Sequence, residues 1–318
     1  MISASGVRIT WSDLPGYVRA AVEEVAGAPV LSAESQAGGF SPGTADRVIT
    51  AKGDRFFVKA VSQAQNTQSV MMARAELSIT SALPAGTPAP RLLGSFDDGQ
   101  WVVLVFEDIE GRHPRTPWEE DELDAAVRAL GDLADALTPA PVPDAPTAAD
   151  RLRHDLASWG RVAADPPADL DPWAAEHLDD LCAAAERAQA ALAGDTLTHC
   201  DIRADNMLLR PDGSVVFVDW PWGCVGPAWM DRALLAMNVL VHGGDGDRIL
   251  AELTDPDAAV DFIVAFVGFF LDHARHPAPE GLPTVRAFQR FQADALLPWV
   301  RYQVGPPAHP AEPRKPAH

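Results

Sequence analysis

A chain of 318 residues, 47% hydrophobic and 22% charged, has the make-up of a folded protein with room for one large core or two lobes, and excludes a disordered or fibrous polypeptide. Its 25 basic against 45 acidic side chains give a formal charge of −20, which argues against nucleic acid or an anionic membrane as the main partner. Most of the acidic excess falls after residue 108, and two readings stand: a solvated surface, or an acidic pocket for a polyamine-like ligand.

In chain order, residues 29–35 read as a strand, followed by the glycine-rich stretch Gln36-Ala37-Gly38-Gly39-Phe40-Ser41-Pro42-Gly43. Residues 48–50 and 56–61 flank a Lys52-Gly53-Asp54 turn as a hairpin. Val70, Ala73 and Leu77 recur at helical spacing, which predicts a helix over 68–82 stopped by Leu83-Pro84. Strands over 91–96 and 101–106 flank Asp97-Asp98-Gly99, so the first part is a small sheet with one helix inserted.

After Gly111 the pattern turns helical. Leu123, Val127, Leu130 and Leu137 share one face, and Asp171-Pro172 opens a helix in which Leu178, Leu181, Ala185 and Leu192 repeat. Residues 138–146 read as a loop, and the proline-rich stretch 305–318 as a disordered tail. The spacing of Cys182, Cys200 and Cys224 matches neither a disulfide framework nor a paired zinc knuckle, so reduced thiols in a cytoplasmic protein are expected. The start of the chain lacks a secretory pattern, and the longest apolar run, 263–271, falls well short of the roughly 20 residues that span a bilayer.

One interruption in the helical half carries the chemistry. Residues 196–198, the loop His199 to Asn206, a strand over 207–210, the turn Pro211-Asp212-Gly213 and a strand over 214–218 run into Asp219. Two strands joined by a tight turn lie together, so Asn206 and Asp219 at their ends converge, and an amide oxygen beside a carboxylate suits a hard cation such as Mg²⁺.

The segment His199-Cys200-Asp201-Ile202-Arg203-Ala204-Asp205-Asn206 has the pattern His-x-Asp-x-x-x-x-Asn. With Asp219 and Trp229-Met230-Asp231, it resembles the catalytic region of the aminoglycoside phosphotransferase and choline kinase family, over roughly residues 28–300. The resemblance implies an α+β, bilobal, protein-kinase-like fold: a nucleotide-binding lobe over 1–108 with a small antiparallel sheet and one helix, and a mostly helical lobe over 109–304 holding the catalytic loop and acceptor pocket. It also implies a small-molecule kinase using ATP or GTP with Mg²⁺, and a small hydroxylated, cationic acceptor such as an aminoglycoside, with macrolides, choline-like amines, sugars and amino alcohols left open.

On this resemblance Asp201 accepts or orients the proton of the attacking hydroxyl, and Asn206 and Asp219 hold Mg²⁺. Lys59 meets the nucleotide phosphates with Glu76 as its partner. Gly38, Gly39, Ser41 and Gly43 cover the phosphates or form an ordinary loop, and Phe106 to Ile109, with Asp108, form the hinge for the base. His199 and Asp231 support the loop. Arg203 either neutralises charge on the transferring group or pairs with Asp205. Trp220, Trp222 and Trp229 are core or an acceptor-stacking surface. Asp261, Asp272, Gln289 and Asp294 line the acceptor pocket or lie on helix surfaces.

Two departures from the family pattern stand out: Cys200 replaces a usual glycine, and Trp220-Pro221 follows Asp219 where protein kinases have Phe-Gly. The second, with the short stretch between Asp219 and Asp231, argues against a protein kinase. Retention of Lys59, Asp201, Asn206 and Asp219 argues against a non-catalytic binding module.

Overall fold

A computed structural model of the chain describes residues 8–36 and 42–305. The first lobe starts with a helix that the sequence reading passed over, α1 (Gly16–Ala26), whose Val18 and Val22 point inward and which stops at Gly27 in the left-handed conformation. Then follow β1 (Val30–Ser35), β2 (Thr44–Thr50), β3 (Arg55–Ser62), α2 (Thr67–Thr80), β4 (Leu92–Asp97) and β5 (Trp101–Glu107). The five strands make one antiparallel sheet in the order β1-β2-β3-β5-β4.

Side chains alternate across this sheet, and both faces are covered. Val58 of β3 with Val103 and Val105 of β5 packs against Val18 and Val22 of α1, while Val61, Val102, Leu104 and Phe106 pack against Val70 of α2. Lys59, next to Val58, therefore points to the α2 side, where Glu76 lies. α2 is fixed at its start by Asn66, whose side chain accepts the Ser69 N–H at 2.8 Å.

The second lobe comprises α3 (Glu120–Ala136), α4 (Ala148–Leu156), α5 (Ser158–Ala164), α6 (Pro172–Glu176) and α7 (Leu178–Ala190), then the short strands β6 (Thr196–Thr198), β7 (Met207–Leu209), β8 (Val215–Phe217) and β9 (Cys224–Gly226). It closes with α8 (Met230–Val241), α9 (Asp247–Leu250), α10 (Pro256–Ala274) and α11 (Val285–Val304). The single helix expected from Pro172 onward is two, because the chain leaves helical geometry at His177. The apolar run 263–271 lies inside α10, which is hydrophobic on all sides because α4, α5, α7, α8 and α11 surround it. Among the described residues no helix is long and apolar enough to cross a membrane.

Two small ladders flank the loop 199–206. β7 pairs with β8, Met207 opposite Phe217, and β6 pairs with β9, Thr198 opposite Cys224. The segment leaving β5 crosses onto the first ladder through paired backbone bonds between Arg112 and Leu209, of 3.0 and 2.7 Å. This junction seats the sheet of the first lobe over the loop that follows β6.

Candidate active site

The loop 199–206 is held by charge-assisted bonds to its own backbone. Asp231, in the first turn of α8, is buried and accepts the N–H groups of His199 at 2.7 Å and Cys200 at 2.9 Å. Burial pushes its carboxyl above the usual carboxylate range even so. Cys200 stands at φ 62°, a conformation that costs a non-glycine residue on the order of 1 kcal/mol, which explains why glycine is usual there. The two bonds to Asp231 hold that strained turn in place.

His199 ties both ends of the site together. Burial holds its imidazole below the ordinary histidine pKa, hence neutral, with Nε2 2.9 Å from the Val218 carbonyl and Nδ1 accepting the Asp201 N–H at 3.3 Å. Its ring packs edge-on against Trp220, with centroids 4.6 Å apart. One ring thus spans the residue before Asp219 and the backbone of Asp201.

Asn206 donates its amide N–H to Asp201 twice, to Oδ2 and to the backbone oxygen, both at 2.8 Å. That orients the carboxylate and turns the amide oxygen of Asn206 away from it. Burial raises the Asp201 carboxyl above the ordinary aspartate range, against the pull of Arg203. Arg203 forks onto Asp205 with two bonds of 2.9 Å and stands 3.5 Å from Asp201 Oδ1. The pairing with Asp205 is therefore made, and the guanidinium still borders Asp201.

The ladder β7–β8 brings Asn206 beside Asp219, since the Val218 N–H bonds to the Asn206 carbonyl at 2.9 Å. Asp219 stands at φ 69° and receives Lys59 Nζ on Oδ1 at 2.8 Å. The same ammonium reaches both oxygens of buried Glu76, at 2.7 and 2.9 Å. Burial alone would lower the Lys59 pKa, but Asp219 and Glu76 together raise it above the ordinary lysine value. Glu76 is raised by its burial, whereas Asp219 is held below the usual range because Lys59 outweighs its burial.

These groups border one cavity of about 460 Å³ between the lobes. Lys59, Glu76, Phe106, Asp108, Arg203, Asn206 and Asp219 all line it. Phe106 is buried in β5 with Lys59 Nζ 5.9 Å from its ring centroid. Gly38, Gly39 and Ser41 lie outside the described residues. Gly43, at their end, has φ 117°, and a Cβ there would sit 2.4 Å from the Ala60 carbonyl oxygen, so only glycine fits.

Several expected residues are placed differently by long-range pairing. The carboxylate of Asp108 does not face the cavity as a free group: Arg47 holds Oδ1 at 3.0 Å and Arg55 holds Oδ2 at 2.8 Å, which leaves backbone groups to present the hinge. The four candidate acceptor liners lie outside the cavity lining and are held by arginines: Asp261 pairs with Arg187, buried Asp272 with Arg161 and Arg275, and Asp294 with Arg290, while buried Gln289 accepts a hydrogen bond from Arg286. Trp220 and Trp229 are buried in the core, and Trp220 Nε1 donates to the Phe217 carbonyl at 2.9 Å.

Among the cavity residues that the sequence reading passed over is an arginine ahead of the sheet. Arg8 pairs with Gly43 in a parallel bridge, lines the cavity, and feels the charges of Asp219 and Asp46, although burial keeps its pKa below the ordinary arginine value. No local pattern marks an isolated arginine ahead of the first helix.

A five-stranded lobe whose lysine meets a glutamate and an aspartate above a His-x-Asp-x-x-x-x-Asn loop defines a protein of the bilobal protein-kinase-like fold. The chain belongs to the phosphotransferase enzyme family, whose profile matches residues 36–262. It is 33% identical over 132 residues to an aminoglycoside 3'-phosphotransferase of Streptomyces fradiae, covering 40% of this chain and 48% of that protein, so the chain spans about half the length of this curated relative. Among solved structures it is similar to a thermostable mutant of aminoglycoside phosphotransferase APH(4)-Ia in a ternary complex with ADP and hygromycin B, with 16% identity, TM-score 0.58, and coverage of 91% of this chain and 99% of that one. It is also similar to the choline kinase LicA of Streptococcus pneumoniae, at 13% identity and TM-score 0.59, covering 90% and 98%. At these identities the likeness to solved structures is one of fold.

Proposed function

We propose that this protein transfers the terminal phosphoryl group of a nucleoside triphosphate, ATP or GTP, to a hydroxyl of a small molecule. The observation that carries the reading is that Lys59, Asp219 and Asn206 line one cleft between the lobes, with Asp201 bonded to Asn206 behind them. Residues up to Asp108 supply the nucleotide side, and those from Ile109 on supply the catalytic loop and acceptor side. Names of relatives bring in the finer reading of an aminoglycoside or choline-like acceptor, and structures of the fold hold ADP beside such a ligand.

The donor set fits Mg²⁺. Asn206 offers an amide oxygen and Asp219 a carboxylate whose side chain is 44% exposed, with only Oδ1 taken by Lys59. Hard oxygens from two protein groups, completed by phosphates and water, are the usual Mg²⁺ environment. When bound, the ion offsets charge between the phosphates.

The chain's own groups do the rest. Lys59, cationic throughout the neutral range, turns its ammonium to the phosphates while Glu76 keeps the side chain extended. Asp201 takes the proton of the attacking hydroxyl, and its raised pKa makes it a better acceptor than an ordinary aspartate. Arg203, between Asp201 and Asp205, offers positive charge on the acceptor side. His199 and Asp231 fix the loop so that little reorganisation accompanies transfer. The test is a coupled nucleotide-turnover assay of the purified protein with Mg-ATP or Mg-GTP against basic antibiotics, macrolides, sugars and amino alcohols. Transfer to a small alcohol supports the reading; binding of Mg-nucleotide with transfer to none of these acceptors counts against it.

A further inference from the structure

The cavity does not end at the catalytic loop. Beyond Arg203 and Asp205 its wall is formed by His113 and Thr116 after β5, Asn238 and His242 at the end of α8, and Phe288 and Phe291 in the first two turns of α11. These residues border the catalytic loop directly. The Arg203 guanidinium lies over the Phe288 ring, 5.7 Å from its centroid, and the charge of Asp205 reaches both His113 and His242. On the proposed function this neighbourhood of Arg203 and Asp205 is where an incoming alcohol would lie.

From this wall we infer that the acceptor is an alcohol presenting an apolar face and carrying at most one positive charge, and not a polycation; the inference rests on the phosphotransfer reading above. A ligand with several ammonium groups loses their hydration on entering a cleft and needs a carboxylate for each. Among the described residues of this wall the lining carboxylate is Asp205, already forked by Arg203, and Asp201 beside it, 3.5 Å from the same guanidinium, is on the proposed reading taken up by the reacting hydroxyl. The other acids that line the cavity are each paired: Glu76 and Asp219 with Lys59, Asp108 with Arg47 and Arg55, and Glu107 with Arg91.

The acidity of the second lobe does not reach the cleft by another route. Asp261, Asp272 and Asp294 pair with arginines on helices α5, α7, α10 and α11 or just beyond them, outside the cavity lining. What the acceptor wall offers instead is two phenyl rings, a hydroxyl, an amide and two imidazoles. The Asn238 amide oxygen is itself occupied by Trp118 Nε1 at 3.1 Å, which orients its nitrogen as a donor. Burial holds His242 below the ordinary histidine pKa in spite of Asp205, so at neutral pH it is an uncharged hydrogen-bonding group. Such a surface matches a ring system with hydroxyls and a single amine, one side of which is hydrocarbon.

Binding to the full-length protein, measured by calorimetry with and without Mg-AMP-PNP, tests this with four probes. Erythromycin and phenylalaninol each carry one amine and a large apolar part; streptomycin and hygromycin B carry several cationic groups. The expected result is that at least one of the first pair binds about tenfold or more tightly than both polycations. Phe291→Ala should weaken that probe about tenfold and leave the nucleotide-induced melting shift unchanged. His242→Glu, which adds a carboxylate to the wall, should strengthen streptomycin about tenfold. Tighter binding of either polycation than of both apolar probes, or no binding of both apolar probes at millimolar concentration, overturns the inference. A missing nucleotide shift would instead overturn the phosphotransfer reading, while the order of acceptor affinities still decides this one.

Discussion

Lys59 Nζ and Asp219 Oδ1, 160 residues apart in the chain, meet at 2.8 Å across the boundary between the lobes. The same ammonium closes on Glu76, so one cation serves two carboxylates. On the proposed function Lys59 would meet the nucleotide phosphates and Asp219 would hold the metal. The contact is a tie between the lobes.

Lys59→Met should abolish nucleotide binding and destabilise the fold, because buried Glu76 loses its counter-ion. Breaking one partner of a buried pair costs about 3–5 kcal/mol, and Glu76→Gln added to Lys59→Met should recover much of that loss. Urea denaturation of the single and double variants measures both. Equal stability of the single variant and wild type would refute the coupling.

Asp201→Asn should lower kcat by about a hundredfold or more, since positioned proton transfer is worth on the order of 10²–10⁴. Mg-nucleotide should still raise the melting temperature. Wild-type turnover in this variant would remove Asp201 from the chemistry.

The same substitution should change stability with pH in a defined direction. The Asp201 carboxyl is raised in the folded state, so folding favours its protonated form. Stability then falls as pH climbs from the unfolded pKa through the folded one, and the penalty is complete above the folded value. Asp201→Asn should be more stable than wild type at neutral pH, with the advantage fading in acid. Melting curves from acid to neutral pH decide it. By the same shift, turnover should fall on acidification at a higher pH than an ordinary aspartate would give.

Asp231→Ala leaves the N–H groups of His199 and Cys200 without acceptors in the interior. A destabilisation on the order of 3 kcal/mol is expected, together with a loss of kcat as the turn at Cys200 relaxes. Chemical denaturation and steady-state kinetics check the two effects. Unchanged stability would mean that the loop does not depend on this carboxylate.

Arg8→Ala should raise KM for the nucleotide several-fold and leave kcat within about twofold, as expected for a charge that binds phosphate equally before and during transfer. Steady-state kinetics with varied Mg-ATP reads this directly. A lowered kcat with unchanged KM would place Arg8 in the chemical step instead.

Much of the fold is readable from short-range pattern. Alternation marks β3 and β5, helical spacing marks α2 and α3, and the Pro211-Asp212-Gly213 turn marks the β7–β8 hairpin that sets Asn206 beside Asp219. The loop 199–206 is legible for the same reason: its groups lie within eight positions, and their spacing survives in the chain itself. α1 and Arg8 escaped because a short amphipathic helix ahead of the sheet carries no turn or motif signal to connect it with a cleft.

Sequence by itself determined which chemical groups this protein brings to its cleft and which neighbours along the chain hold them at fixed separation. Tertiary structure alone decided which charges stay open to a ligand. Asp108, Asp261 and Asp272 looked equivalent to the site acids as letters, yet packing gave each of them an arginine from another element. Ion pairing depends on distances of a few ångströms between residues far apart in the chain, and only the packed elements set those distances.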